Sequence, residues 1–169
     1  KRSSALHQEM AIGSEAPDFT AKLNNGETFT LSDKKGQVIL LNFWATWCSN
    51  CVKEMPAIEK LYEEYGDQIV IVGVNVGEDE DTIDTFIEAK NYSFPVACDT
   101  ESNISNLYPS AGIPYTVIVG NSRKRRTCYR DISRSKRCRQ PVHEAAPCFT
   151  GSLRSKLIHA RLQIHKRFR

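Results

Sequence analysis

Seven consecutive residues, Val38-Ile39-Leu40-Leu41-Asn42-Phe43-Trp44, are aliphatic or aromatic with one asparagine among them. A strand with one wet face alternates apolar and polar residues; a run without alternation suits a strand covered on both faces, as in a parallel sheet. Ile69 to Val76 is a second such run and Tyr115 to Val119 a third. Between them the pattern turns helical. One helix is predicted from about Cys48 to Tyr65, stopped by Gly66 and kinked at Pro56, which lacks an N–H and crowds the preceding turn. Asp79 to Lys90 is the next, with Ile83, Phe86 and Ile87 on one face. Phe94 to Cys98 reads as a short strand and Asn103 to Tyr108 as a short helix. Strands alternating with helices predict an α/β domain. Ahead of it, Phe19 to Leu23 and Glu27 to Leu31 flank Asn24-Asn25-Gly26, a turn that predicts a hairpin. Ser32-Asp33 can then cap a single turn ending at Gly36.

Size and charge set the bounds. The 169 residues make one ordinary domain and a remainder. A chain of this length buries roughly two thirds of its unfolded surface, so its core needs no metal or disulfide staple. The apolar runs are far short of the ~18–20 residues that span a bilayer. The chain opens Lys1-Arg2 without Met, which leaves room for an N-terminal leader or anchor ahead of it. Residues 1–11 read as a disordered lead-in. The net charge of +3 averages two unlike pieces: residues 1–120 hold 8 Lys/Arg against 18 Asp/Glu, and residues 121–169 hold 15 against 2. The overall charge is therefore no sign of nucleic-acid binding.

Trp47-Cys48-Ser49-Asn50-Cys51 falls where a buried strand gives way to a helix. Residues three apart in a helix share a face, with Cβ atoms ~5–6 Å apart, so a disulfide closes after slight adjustment. Its ring is tiny, and closing it removes little unfolded-chain entropy, which suits exchange better than stapling. Cys48 is placed at the helix N-terminus, where unpaired N–H groups and the positive dipole end favour a thiolate. A thiol of pKa ~8.5 is about 3% ionised at pH 7, and one lowered to ~7 is half ionised. Cys51, one turn deeper, is shielded and resolves the mixed disulfide. Half of a zinc site is the competing reading, but residues 1–120 hold no second C-x-x-C and no H-x3–5-H. No metal is assigned, and Cys128, Cys138 and Cys148, though evenly spaced, are given none either.

Asn42-Phe43-Trp44-Ala45-Thr46-Trp47-Cys48 with Cys51, followed by Gly112-Ile113-Pro114-Tyr115-Thr116, resembles the thioredoxin superfamily, and most of all its TlpA/ResA-like branch of thiol–disulfide oxidoreductases. Gly13 to Phe19, Glu54-Met55-Pro56 and Val74-Asn75-Val76-Gly77 support the resemblance, which covers about residues 12–120. It implies a thioredoxin-like three-layer α/β sandwich with an N-terminal β-hairpin and a central insert. It also implies that Pro114 follows a cis peptide bond and that the backbone at Ile113 faces an extended substrate segment. Asn42 stands where thioredoxin proper has a buried acid, and Asn cannot shuttle protons. Glu54 matches the acid of the ResA-like branch; on the face of Cys48 and Cys51, partial burial would raise its pKa enough to serve the Cys51 proton. A solvated helix carboxylate is the plainer alternative. Trp47 is expected to shield the thiolate and meet substrate, Trp44 to sit in the core, and Cys98 to be a buried small hydrophobe.

A sheet of this kind should continue past Val119 with a turn, an edge strand and a closing helix. Asn121 to Arg126 interrupts it; Thr127 to Ile132 is a candidate edge strand, and Ser152 to Phe168 a candidate helix with Leu153, Leu157, Ala160, Ile164 and Phe168 on one stripe. The swing in charge where the resemblance stops favours a shifted coding frame in 121–169 over a diverged closing strand and helix or a basic appendage. The last strand and helix are then atypical or missing.

The resemblance implies exchange of the Cys48–Cys51 dithiol with protein disulfides, as a reductant, without organic cofactor or metal. Electrons come from another dithiol donor, such as a membrane thiol transporter. Relatives of this kind work outside the bacterial cytoplasm on substrates that include apocytochrome c; a cytoplasmic setting is the alternative. Two rival functions remain. A peroxiredoxin-like peroxide reductase shares the fold and hairpin but needs Thr three residues before its cysteine, where Ala45 stands. A non-enzymatic binding module would use the Pro114 groove alone.

Overall fold

The computed structural model describes residues 13–34 and 36–120, together with the backbone of 127–129. The hairpin is formed by β1 (Thr20–Lys22) and β2 (Thr28–Thr30), paired antiparallel with Ala21 opposite Phe29. A short 3-10 turn, Leu31–Lys34, follows it at the position Ser32-Asp33 suggested. The main sheet takes β3 (Ile39–Trp44), β4 (Val70–Val76), β5 (Val96–Asp99), β6 (Tyr115–Val119) and β7 (Thr127–Tyr129) in the order β5-β4-β3-β6-β7. Neighbours β3, β4 and β5 run parallel, while β6 is antiparallel to both β3 and β7. Three helices connect them: α1 (Ser49–Tyr65), α2 (Glu80–Lys90) and α3 (Asn103–Leu107). This is the expected thioredoxin-like α/β arrangement.

The unbroken apolar run behaves as its composition demands. All six residues of β3 are buried, and its side chains alternate between the two sheet faces. Leu40 and Trp44 join Met55, Ile58 and Leu61 of α1, Ile83 and Ile87 of α2 and Phe94 in one apolar cluster. Ile39, Leu41 and Phe43 join Phe19 and Phe29 of the hairpin, Ile104, Tyr108 and Tyr115 in the other. Phe43 lies between the rings of Tyr108 and Tyr115, at centroid distances of 5.3 and 5.7 Å. The hairpin is fastened to the β5 edge. Leu23 bridges Ala97, the Asn24 N–H donates to the Val96 carbonyl at 2.8 Å, and the Val96 N–H donates to Asn24 Oδ1 at 2.9 Å.

Several boundaries differ from the sequence reading. Cys48, expected at the start of the helix, is the N-cap of α1, whose first turn begins at Ser49. The strand expected over Phe94 to Cys98 begins at Val96, past Pro95, and ends on Asp99. Asp99 belongs there because its carboxylate accepts the Ile104 and Ser105 N–H groups at 2.9 and 2.8 Å, tying β5 to α3. Within the stretch expected to give an edge strand, β7 pairs with β6, so β6 is not the sheet's last strand. The helix expected over Ser152 to Phe168 lies outside the described residues.

Candidate active site

β3 ends at Trp44, and four residues later the chain enters α1. Cys48 occupies the N-cap in extended conformation; its carbonyl accepts the Val52 N–H at 3.0 Å, and its Sγ accepts the Cys51 N–H at 3.2 Å. The sulfur thus fills the place that a Ser or Asp oxygen takes at other helix starts, against the positive end of the dipole. Cys48 and Cys51 are joined as a disulfide with Cα atoms 5.2 Å apart. Cys51 is wholly buried, and Cys48 keeps 8% of its surface exposed.

The loop that delivers Cys48 is clamped from the side. Glu78 Oε2 accepts the Thr46 N–H at 2.8 Å and the Asn75 side-chain amide at 2.7 Å, and its other oxygen accepts the Thr46 hydroxyl. Gly77 makes the turn that aims Glu78 at the loop with φ +77, a conformation glycine adopts without strain. Glu78 directly follows the run Val74-Asn75-Val76-Gly77, and nothing in the local sequence sets it apart from the acidic residues after it.

Glu54 lies on α1 one turn beyond Cys51 and is 7% exposed, so it is no solvated surface carboxylate. Its Oε1 accepts a side-chain N–H of Asn42 at 2.9 Å, and the other Asn42 N–H is donated to Thr116 Oγ1 at 3.1 Å. Asn42 and Thr116 face each other across β3 and β6. Within the run Gly112 to Thr116, the alternation along β6 puts Thr116 two residues after Pro114 on the same face, which is the signal that singles it out.

The Ile113–Pro114 peptide bond is cis, and Pro114 is buried. Half-buried Ile113 packs against both apolar clusters, one of which contains Cys48 and Cys51. Gly112 before it has φ +147. A cleft of about 250 Å³ opens at Ile113, lined also by Phe43, Val76, Tyr108, Pro109 and Ser110. Trp47 is 70% exposed, so most of its surface faces solvent. Trp44 is fully buried, as expected. Cys98 is half-buried rather than buried, and lies by the Lys22–Glu80 ion pair (2.9 Å). Burial pushes its thiol up, Glu80 and Asp84 push it further, and Lys22 opposes them. Among the described residues, no three of His, Cys, Asp or Glu are grouped to hold a metal ion, and no helix is long and apolar enough to cross a membrane.

This geometry has relatives. The chain is 36% identical over 113 residues to the thiol-disulfide oxidoreductase ResA of Bacillus subtilis, covering 66% of this chain and 63% of ResA. It is 41% identical over 110 residues to the thioredoxin-like protein YneN of the same organism, covering 63% of this chain and 64% of YneN. The match therefore spans less than two thirds of either relative. Among solved structures, the thioredoxin domain of a thiol-disulfide oxidoreductase from Bacteroides vulgatus superposes with a TM-score of 0.64 at 26% identity, over 72% of this chain and 88% of that one. A thiol:disulfide interchange protein from a Bacteroides species gives 0.64 at 26% identity, over 73% and 82%. Residues 12–125 match the model of the AhpC/TSA family, and the chain belongs to that family, with ResA-type thiol–disulfide oxidoreductases among its relatives.

Proposed function

We propose that this chain is a protein thiol–disulfide oxidoreductase acting as a reductant. The observation that carries the reading is Cys48 at the N-cap of α1, bonded to Cys51 one turn inside. In the reduced form the Cys48 thiolate attacks one sulfur of a substrate disulfide. A mixed disulfide forms, and the other substrate sulfur leaves as a thiolate. Cys51, having lost its proton, then attacks Cys48 Sγ, closing the bridge and releasing the second substrate thiolate. Two electrons pass from the dithiol to the substrate, and an external dithiol returns them.

Each neighbour has a part in this reading. The helix N-terminus favours the Cys48 thiolate. Glu54, buried beside Cys51, takes the Cys51 proton. The backbone at Ile113, ahead of cis Pro114, aligns the substrate segment, with Trp47 as an exposed apolar contact beside it. The dithiol itself is the redox centre, without organic cofactor or metal. The setting proposed is outside the bacterial cytoplasm, with apocytochrome c among the substrates and a membrane thiol transporter as donor. The names of ResA and of the solved thiol-disulfide oxidoreductases support this reading over a peroxide reductase. Ala45, where that chemistry needs Thr, supports it too.

Reduction of insulin disulfides tests it. The parent protein accelerates the reaction, Cys48→Ser abolishes it, and Cys51→Ser accumulates the mixed disulfide. Peroxide consumption with no insulin reduction would instead favour the peroxidase.

A further inference from the structure

Asn42 is 1% exposed and sits mid-strand in β3, between β4 and β6. Its side chain spends both amide protons as a donor, one on Glu54 Oε1 and one on Thr116 Oγ1, and its Oδ1 is buried with no hydrogen-bond partner among the described residues. A buried carbonyl oxygen left unpaired is unfavourable, so what the N–H groups meet must outweigh it. Turned over, the amide would aim its oxygen at the Glu54 carboxylate, lone pairs against lone pairs. Only a protonated Glu54 could donate to it. The orientation in the structure gives Glu54 an N–H donor, and a carboxylate accepts such a bond more strongly than a neutral carboxyl does.

We propose that Asn42 is a positioning residue for Glu54, fixing its carboxylate one turn from Cys51 and favouring its ionised, proton-accepting form. Because this rests on the reading in which Glu54 takes the Cys51 proton, it deepens that site and adds no second one. The anchoring is rigid at both ends: Asn42 is held by the sheet and by its cross-strand partner Thr116, and Glu54 by the interior of α1. Cys51 lies one turn away on the same helix, Asn42 donates to Glu54 from β3, and Thr116 on β6 accepts the other Asn42 N–H; among these three the cysteine is the group that titrates. It also accounts for Asn rather than an acid at this position. A second carboxylate within 2.9 Å of Glu54 could not ionise together with it.

The test follows the Glu54 carboxyl carbon by NMR in the reduced, carboxyl-labelled full chain, with Glu54→Gln assigning the resonance. Asn42→Ala is expected to move the Glu54 inflection to higher pH by about one unit or more, since a hydrogen bond to the charged form is lost. Asn42→Asp, which keeps the volume should the alanine variant fail to fold, is expected to move it up and to add a second, coupled inflection. The alkaline limb of Cys51-dependent thiol reactivity should shift with it. A Glu54 inflection that coincides with the parent's in the folded variants, while the parent still reduces insulin, overturns the assignment to Asn42 and leaves the dithiol reading standing.

Discussion

The carboxylate of Glu78 accepts the backbone N–H of Thr46 at 2.8 Å, joining the turn after β4 to the loop two residues ahead of Cys48. The same carboxylate takes the Thr46 hydroxyl and the Asn75 amide. Glu78→Ala strips three donors of one acceptor. It is expected to destabilise the domain by about 1–3 kcal/mol, the cost of leaving such groups unpaired in part-buried surroundings. Urea denaturation of the oxidised protein measures this, and insulin reduction should slow as the loop carrying Cys48 loses its anchor. Glu78→Gln, which keeps one acceptor oxygen, should lose less.

Trp47 gives the opposite pattern. At 70% exposure its removal takes little out of the core, so Trp47→Ala should change stability by less than about 0.5 kcal/mol. If the indole is a contact for the substrate chain, the same variant should raise KM for a protein disulfide by at least about fivefold, the effect of losing an aromatic anchor. Reduction of a small disulfide by the two proteins should be nearly equal. Steady-state kinetics with both substrates separates contact from shielding.

These two residues also mark how far the sequence could be read. β3, β4 and β6 were legible because strands buried on both faces leave an unbroken apolar run. The dithiol was legible because its spacing and its place at a strand-to-helix junction carry the chemistry locally. Glu78 was not, because it opens an acidic stretch that looks like a solvated helix face, and its partner Thr46 lies 32 residues away. The link between Asn42 and Glu54 crosses from sheet to helix and needs the packed fold to appear. Trp47 lies between elements, where no periodicity says which way a side chain points. Asp99 misled for a related reason: a charged residue reads as the end of a strand, and its capping of α3 is visible only in three dimensions.

Asp79 supplies a prediction in pH. As N-cap of α2 its carboxylate accepts the Thr82 N–H at 2.8 Å, and hydrogen bonding by Thr82 holds its pKa below the ordinary carboxylate value. With the folded pKa below the unfolded one, the stabilisation is complete above the unfolded pKa and lost as pH falls through the folded one. Asp79→Ala should therefore be less stable than the parent at pH 7, and the gap should close in strong acid. Asp79→Asn, which still caps through its amide oxygen, should retain most of the stability at pH 7 and remove its dependence on this group. Denaturation midpoints across acid and neutral pH give the comparison.

Gly73 sets the packing beneath the dithiol strand. A Cβ there would lie 2.9 Å from Trp44 Nε1 and 3.0 Å from Phe94 Cε2, both in the apolar cluster that α1 covers. Neither ring can step aside: Trp44 is fully buried and packed at a tilt against Phe86, centroids 5.5 Å apart, and Phe94 is held by Tyr92 at 5.7 Å. Gly73→Ala is accordingly expected to destabilise by about 1–3 kcal/mol through overpacking. Trp44→Phe alone should also destabilise, by leaving a void where the indole was. The two together should cost less than their sum, because the smaller ring makes room for the new methyl. The indole N–H has no partner among the described residues, so replacing Trp44 breaks no hydrogen bond and the cycle reports packing alone. Additive effects would mean that the ring and the methyl never compete for the same space.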